Sequence, residues 1–140
     1  MTNGYNHNEQ IEIIMSLKRI FVAFAIEDEK AKILFTGQAK NKRVPYEFID
    51  MSAKEPWDEK WKSNCRAKIK GCDGFIVLVS ENLNDADGAL WEINCAKDEG
   101  IPIMGIYIDG AGWSDKPSEL FWIDCKEWTW DNISGFLDSL

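Results

Sequence analysis

Residues 72–100, CDGFIVLVSENLNDADGALWEINCAKDEG, decide the fold because they hold the clearest buried strand of the chain and the helix after it. Asp73–Ser80 contains the unbroken apolar run Phe75–Val79, rich in β-branched residues, which predicts a strand buried on both faces. The polar loop that follows ends at Asp87, which is expected to cap a helix over Gly88–Glu99. Gly100 suits the end of that helix.

Segments of the same two kinds continue on either side of this stretch. Apolar runs predict three further strands and a short fifth one: Arg19–Ala25, Val44–Asp50, Ile101–Ile108 and a segment within Phe121–Trp130. Charged segments with apolar stripes predict the other helices: Glu27–Lys42, Asp58–Lys70 and a last helix capped by Asp131. Alternating strands and helices predict an α/β fold, a flavodoxin-like doubly wound parallel sheet with strand order 2-1-3-4-5.

The chain has 140 residues, enough for one domain and not two. Residues 1–17 form a separate N-terminal segment, loosely attached over residues 1–8 and with a short amphipathic helix expected over Glu9–Leu17. Residues 18–140 form the domain. The polar start resembles neither a signal peptide nor a transit peptide, and no apolar run is long enough to span a membrane.

Composition excludes several classes of function. The net charge of -8 disfavours binding to nucleic acid or to an anionic membrane. The sequence has one histidine, His7, in the polar N-terminal segment, so a Ser-His-Asp triad or a histidine-rich metal site is not expected. No two of the four cysteines have the spacing of a zinc knuckle or a CxxC motif. Reduced thiols and a cytoplasmic location are therefore expected, with no metal site.

Charge is unevenly distributed along the chain. Residues 1–70 hold 13 basic and 10 acidic groups, whereas residues 71–140 hold 3 basic and 14 acidic groups. This difference is consistent with two differently charged surfaces on one domain. Head-to-tail self-association of basic and acidic faces is the more specific alternative.

Ligands of doubly wound sheets bind at the carboxyl ends of the strands, here the loops that begin at Ala25, Asp50, Ser80 and Asp109. The sequence lacks the motifs of three common classes of protein that bind ligands at this edge of the sheet. The strand ends lack the Asp and Lys of a receiver domain, the loop after the first strand is too acidic for a flavin phosphate, and neither GxGxxG nor GxxxxGK[ST] occurs.

Glu92 is the candidate that remains at this edge. On a helical projection it lies roughly 80° from the centre of the inward stripe of its helix. An ordinary surface glutamate and a carboxylate facing a crevice both fit this position. A carboxylate without a histidine suits cleavage of an N-glycosidic bond, because it can stabilise or attack the cationic ribosyl centre. Nicotinamide in NAD is already a cationic leaving group, so a general acid is not needed.

Several segments together resemble the TIR-like domains of bacteria, especially those of Thoeris antiphage defence. The resemblance covers most of residues 18–108 and rests on the order of these segments: KRIFVAFAIEDE, FIDMSAKEPWDEKW, residues 72–100 and IPIMGIYI. It implies cleavage of NAD as the substrate, with no further cofactor, and conversion of ADP-ribose into a signalling nucleotide, cyclic or conjugated. That signal would activate a separate effector protein in an infected cell, after a phage trigger.

The resemblance also implies roles for particular residues. Glu92 matches the catalytic glutamate of the family, and Trp91 beside it is expected to contact substrate or a neighbouring protomer. The first loop, which lines the nucleotide site, corresponds to Phe24, Ala25 and Ile26. The loop after the second strand, which packs head to tail and gates the site, begins at Asp50, Met51 and Ser52. Asn82 and Asn84 are expected to contact ribose or phosphates.

Two departures from the family pattern leave alternatives open. Ala25 stands where many TIR domains have a serine, and Trp91 directly precedes Glu92, so that a WxxxE pattern is absent. A TIR domain that acts only as a scaffold through homotypic association fits the charge distribution equally well. A nucleoside deoxyribosyltransferase also uses a carboxylate on a flavodoxin-like sheet.

Overall fold

Alternate side chains of the central strands enter two cores, one on each face of a parallel sheet. The computed structural model describes residues 17–42 and 44–140. Its five strands are β1 (Lys18–Ala23), β2 (Tyr46–Ile49), β3 (Gly74–Val79), β4 (Ile103–Tyr107) and β5 (Cys125–Glu127). All four pairings are parallel and the order is β2-β1-β3-β4-β5, which confirms the predicted fold class and strand order.

Within this described part of the chain, four α-helices cover the sheet: α1 (Glu29–Asn41), α2 (Glu59–Lys70), α3 (Asp87–Asp98) and α4 (Trp130–Asp138). Helices α2 and α3 pack on the face that carries Phe21 and Phe75, whose rings stack with centroids 5.2 Å apart. Helices α1 and α4 pack on the opposite face against Ile20, Val22 and Ile76. Continuous apolar strands are expected where helices cover both faces.

Both predicted aspartate caps are wrong. Asp87 is the first residue of α3, and Ala86 occupies the N-cap position with no side-chain hydrogen bond. Asp131 lies in the first turn of α4, where Thr129 is the cap and its hydroxyl oxygen accepts a hydrogen bond from the Asn132 amide at 3.2 Å. Gly100, by contrast, ends α3 as predicted, with a φ of 69° that favours glycine.

Element ends differ from the predictions by a few residues. The predicted helix over Glu27–Lys42 begins at Glu29, because Ile26–Asp28 form a 3-10 turn. Strand β4 begins after Pro102, which has no amide hydrogen for a sheet ladder. The short fifth strand lies inside the segment predicted for it. The predicted helix over Glu9–Leu17 lies outside the described residues except for Leu17, which is not helical.

Candidate functional site

A pocket of about 180 Å³ opens at the carboxyl edge of the sheet, where the sequence predicted a ligand site. Three loops and the start of α3 form it. Its lining residues come from the loop after β1, the loop after β2 and the stretch that leads into α3: Phe24, Ala25, Ile26, Glu27, Lys54, Pro56, Trp57, Asp85, Ala86, Asp87, Gly88 and Ala89.

Glu92 lies in the second turn of α3 and is fully buried, with an exposed fraction of 0%. The reading of Glu92 as an ordinary surface residue is therefore wrong. Helix α2 packs against α3 and covers this side, and the Cys65 thiol donates a weak hydrogen bond to Glu92 Oε2 at 3.8 Å. A helical projection of α3 alone does not include the neighbouring helix, so it underestimates the burial of Glu92.

Lys54 caps the Glu92 carboxylate from the pocket side. Its Nζ atom donates to both Oε1 and Oε2 at 2.9 Å, and its side chain is only 9% exposed. The same Nζ atom lies 4.3 Å from the centroid of the Phe24 ring, within range of a cation–π contact. Lys54 lines the pocket and Glu92 does not, so this ammonium group separates the carboxylate from the open space.

Burial determines the protonation of Glu92. Desolvation raises the pKa of Glu92 from 4.5 to about 7, and the charge of Lys54 and its hydrogen bonds act in the opposite direction. A carboxyl group with a pKa near neutrality, in a cleft and beside one specific cation, has the environment of many functional groups.

The loop between β2 and α2 holds Lys54 against α3 through two fixed points. The Trp61 indole nitrogen donates to the Ala53 carbonyl oxygen at 2.7 Å, which ties this loop to α2. Gly88 leaves room for Lys54, because a Cβ atom on Gly88 would lie only 2.7 Å from Lys54 Cβ. Sequence reasoning missed Lys54, since nothing in AKEPWDEKW marks one lysine as inward-facing.

Gly88→Ala is expected to lower the free energy of unfolding by about 1 kcal/mol. The new methyl group meets the Cβ of Lys54, so the loop must shift, and overpacking costs about 1–3 kcal/mol against a helix-propensity gain of up to about 1 kcal/mol. Urea denaturation measures the difference. Gly37→Ala in α1 is the matched control, because nothing lies within 4 Å of its Cβ. It should stabilise the protein, and equal stabilisation of both variants would contradict the described packing.

The predicted first-loop residues line the pocket. Phe24 is buried with its ring beside the Lys54 ammonium group, and Ala25 is buried next to it. Ile26 is about half exposed at 49% and also lines the pocket. Of the three, Phe24 is connected to Glu92 through Lys54, whose ammonium group contacts both side chains. Their contact with a nucleotide stays a prediction.

The other predicted residues do not line this pocket. Asp50 forms an ion pair with Lys32 of α1 at 3.3 Å, and Ser52 is exposed. Met51 packs against the core under α2 and α3. Asn84 donates its side-chain amide to the Asp115 carbonyl oxygen at 3.3 Å.

Asn82 and Trp91 are engaged elsewhere. The Asn82 side chain donates to Asp28 at 3.0 Å. Trp91 packs edge-on against Trp61, with ring centroids 5.5 Å apart, and lies under the Arg66 guanidinium group. Trp91 lines a separate groove beside Trp57 on the outer side of α3, so substrate contact by Trp91 requires a ligand that extends beyond the pocket.

The remaining chemistry-bearing groups within residues 17–42 and 44–140 form no second centre. No cluster of three His, Cys, Asp or Glu side chains in this part of the chain is arranged to hold a metal ion. All four cysteines are free, and burial raises the pKa of Cys72 to about 11 and raises that of Cys65 as well. No helix among the described residues is long and apolar enough to cross a membrane.

A five-stranded parallel sheet of order 2-1-3-4-5 with helices on both faces is consistent with a TIR-like domain. The chain belongs to the family described as Thoeris protein ThsB, TIR-like domain, whose model matches residues 5–112. It is therefore a TIR-domain protein of antiphage defence. No curated protein matches the sequence significantly.

Proposed function

We propose that this protein cleaves NAD between nicotinamide and ribose and converts the ADP-ribose part into a signalling nucleotide, which activates a separate effector during phage infection. The observation that carries the proposal is Glu92, a fully buried carboxylate directly behind a pocket at the carboxyl edge of the sheet. Family membership supports the defence role, and the position of Glu92 supports the chemistry.

The chemistry needs one carboxylate and little else. When the glycosidic C–N bond breaks, its electron pair moves to the nicotinamide nitrogen, which becomes neutral without a proton. The ribosyl carbon is left as an oxocarbenium-like cation. An ionised Glu92 stabilises this cation in a site with little water, where electrostatic stabilisation is strong. A water or hydroxyl oxygen then forms the new bond to the ribosyl carbon and releases its proton.

Lys54 keeps the site closed in this conformation. Its ammonium group already occupies the position between the Glu92 carboxylate and the Phe24 ring. A positively charged nicotinamide riboside needs the same environment, so substrate and Lys54 compete for it. Turnover therefore requires the loop of residues 50–58 to move, and the resting protein is expected to be slow.

Self-association offers a way to move this loop. The excess of basic groups in residues 1–70 and of acidic groups in residues 71–140 favours head-to-tail packing of copies. Trp57 lies on the same loop as Lys54, lines the pocket and is 77% exposed, so a neighbouring copy can contact it. A phage component that promotes such packing would act as the trigger.

Nicotinamide release is expected to rise with pH and to level off above about pH 7. The closed form takes up a proton below the raised pKa of Glu92, which is about 7, and this proton must leave before Glu92 can stabilise a cation. Chromatographic measurement of nicotinamide release by the purified protein, across the pH range on either side of that pKa, tests this. A rate that falls as pH rises through the pKa, or does not change, would oppose a role for ionised Glu92.

A scaffold without catalysis is the second candidate, and the Lys54–Glu92 ion pair favours it, because a purely structural glutamate would be paired in the same way. Charge reversal at Lys62 and Arg66 distinguishes the two roles. A scaffold loses phage protection with these changes and keeps it in Glu92→Gln, whereas the enzyme loses protection in Glu92→Gln.

Incubation of the same protein preparations with deoxynucleosides and a free base tests for a nucleoside deoxyribosyltransferase.

A further inference from the structure

Asp28 is a second buried carboxylate, directly after Ile26 and Glu27 of the pocket lining, although it does not line the pocket itself. It is 4% exposed and ends the 3-10 turn Ile26–Asp28. The Ser80 hydroxyl donates to its Oδ2 atom, and the Asn82 side-chain amide donates to its Oδ1 atom at 3.0 Å. Ser80 Oγ in turn accepts the Asn82 backbone amide at 3.0 Å, so the three residues form one closed cluster.

Asp28 stands at the N-cap position of α1, where an aspartate side chain usually accepts a hydrogen bond from the amides of its own helix. It forms no such bond here. Both oxygens of its carboxylate instead accept hydrogen bonds from the loop after β3, which is more than fifty residues away in the sequence. Within residues 17–42 and 44–140, no lysine or arginine pairs with it. The hydrogen-bond donors to the Asp28 carboxylate in this part of the chain are therefore neutral groups, the Ser80 hydroxyl and the Asn82 amide.

The cluster joins two walls of the pocket. On one side, Asp28 fixes the turn whose residues Ile26 and Glu27 line the pocket. On the other side, Ser80 and Asn82 begin the loop that leads through the 3-10 turn Leu83–Asp85 to the lining residue Asp85. A change in the donor and acceptor pattern of this cluster therefore alters the spacing of both walls without touching the space between them.

We propose that Asp28 is a positioning residue for the NAD site, an assignment that rests on the proposed function. It sets how well the pocket walls hold the substrate, through Asn82 and Ser80, and takes no part in breaking the bond. Asn82, which the family resemblance suggested as a ribose or phosphate contact, belongs to this support instead.

A reciprocal exchange of the two side chains tests the assignment. In Asp28→Asn an amide replaces the carboxylate, so the Asn82 amide must turn over to place its oxygen against the new NH₂ group, and both hydrogen bonds lose the strength that the charged acceptor gave them. In Asn82→Asp two carboxylates face each other. The double variant D28N/N82D restores both hydrogen bonds, since the amide placed at position 28 donates to the carboxylate placed at position 82 and its oxygen accepts from Ser80. The exchange keeps size and shape almost unchanged.

Asn82→Asp, which places two carboxylates face to face, is expected to raise the KM for NAD about tenfold, and Asp28→Asn to raise it less, with kcat of both within about threefold of wild type. The double variant should return KM to within about threefold of wild type. A loss of folded protein alone would lower the apparent kcat and leave KM unchanged. An unchanged KM in both single variants, or a double variant no better than the singles, would overturn the assignment.

Amide hydrogen exchange of residues 24–28 and 80–86 gives a readout that needs no activity. Both segments should exchange faster in each single variant and recover in the double variant. If wild type and Glu92→Gln both fail to release nicotinamide, the proposed function fails, and exchange still decides whether Asp28 joins the two walls. Exchange unchanged by Asn82→Asp would overturn the assignment.

Discussion

Glu92→Gln is expected to lower NAD turnover by about a hundredfold or more, since loss of one preorganised electrostatic group that stabilises a transition-state charge has effects of that size. The amide keeps the shape of the side chain and removes the negative charge that the ribosyl cation requires. NAD binding should change much less, because the neutral glutamine repels nothing. Steady-state assays of nicotinamide release, under conditions in which wild type is active, measure the effect.

Glu81→Gln is the matched control for this variant. It makes the same chemical change at an exposed position in the loop after β3, outside the pocket lining. Its turnover should equal that of wild type. If Glu92→Gln also retained wild-type turnover, Glu92 would be a structural residue, and its burial against Lys54 and Cys65 would be its whole role.

At a pH high enough to keep Glu92 ionised without its partner, Lys54→Met is expected to raise the basal turnover of the resting protein about tenfold, the change in open population that follows from removing about 1.4 kcal/mol of preference for the closed form. Methionine fills a similar volume but cannot pair with Glu92. Lys60→Met, at an exposed position in the first turn of α2, is the control and should leave turnover unchanged. Turnover of Lys54→Met at or below the wild-type value would contradict the idea that Lys54 closes the site.

The same variant should be destabilised more at high pH than at low pH. The pKa of Glu92 is raised from 4.5 to about 7 on folding, so the native state holds a proton that the unfolded state releases between these values. The free energy of unfolding therefore falls as pH rises through this window. Lys54 lowers the pKa of Glu92, so this pKa is higher in Lys54→Met. In that variant the free energy of unfolding therefore continues to fall above pH 7.

Relative to wild type, Lys54→Met is expected to lose little stability at about pH 5 and about 1–3 kcal/mol at about pH 8, where an ionised Glu92 is buried without its partner. Urea denaturation of both proteins at the two pH values measures the difference. An equal loss at the two pH values would mean that Glu92 is already ionised at about pH 5 in the folded wild-type protein, against the raised pKa.

The sheet was predictable from the sequence because strands buried on both faces are continuous apolar runs, and Phe75–Val79 and Phe21–Ala25 are such runs. Helix caps were not, because capping residues compete locally. Thr129 and Asp131 both have the right chemistry, and the path of the chain into α4 selects Thr129. These errors move element ends by one or two residues and leave the topology unchanged.

Glu92 was identifiable as a candidate, but its environment was not. Its partner Lys54 is 38 residues away in the sequence, in a loop whose path depends on the packing of Trp61 and on the absence of a side chain at Gly88. The partners of Asp28 are still more distant. Contacts of this kind carry no periodic signal, so a sequence pattern cannot predict them.

The most direct test of the account is NAD consumption in cells, with the products identified by mass spectrometry. Wild type and Glu92→Gln are compared with and without phage challenge. The account predicts loss of NAD and a new ADP-ribose-derived species in challenged wild-type cells, and neither in Glu92→Gln cells. Unchanged NAD and no new species in wild-type cells, with protection against phage intact, would contradict the enzymatic role and leave a TIR-like scaffold.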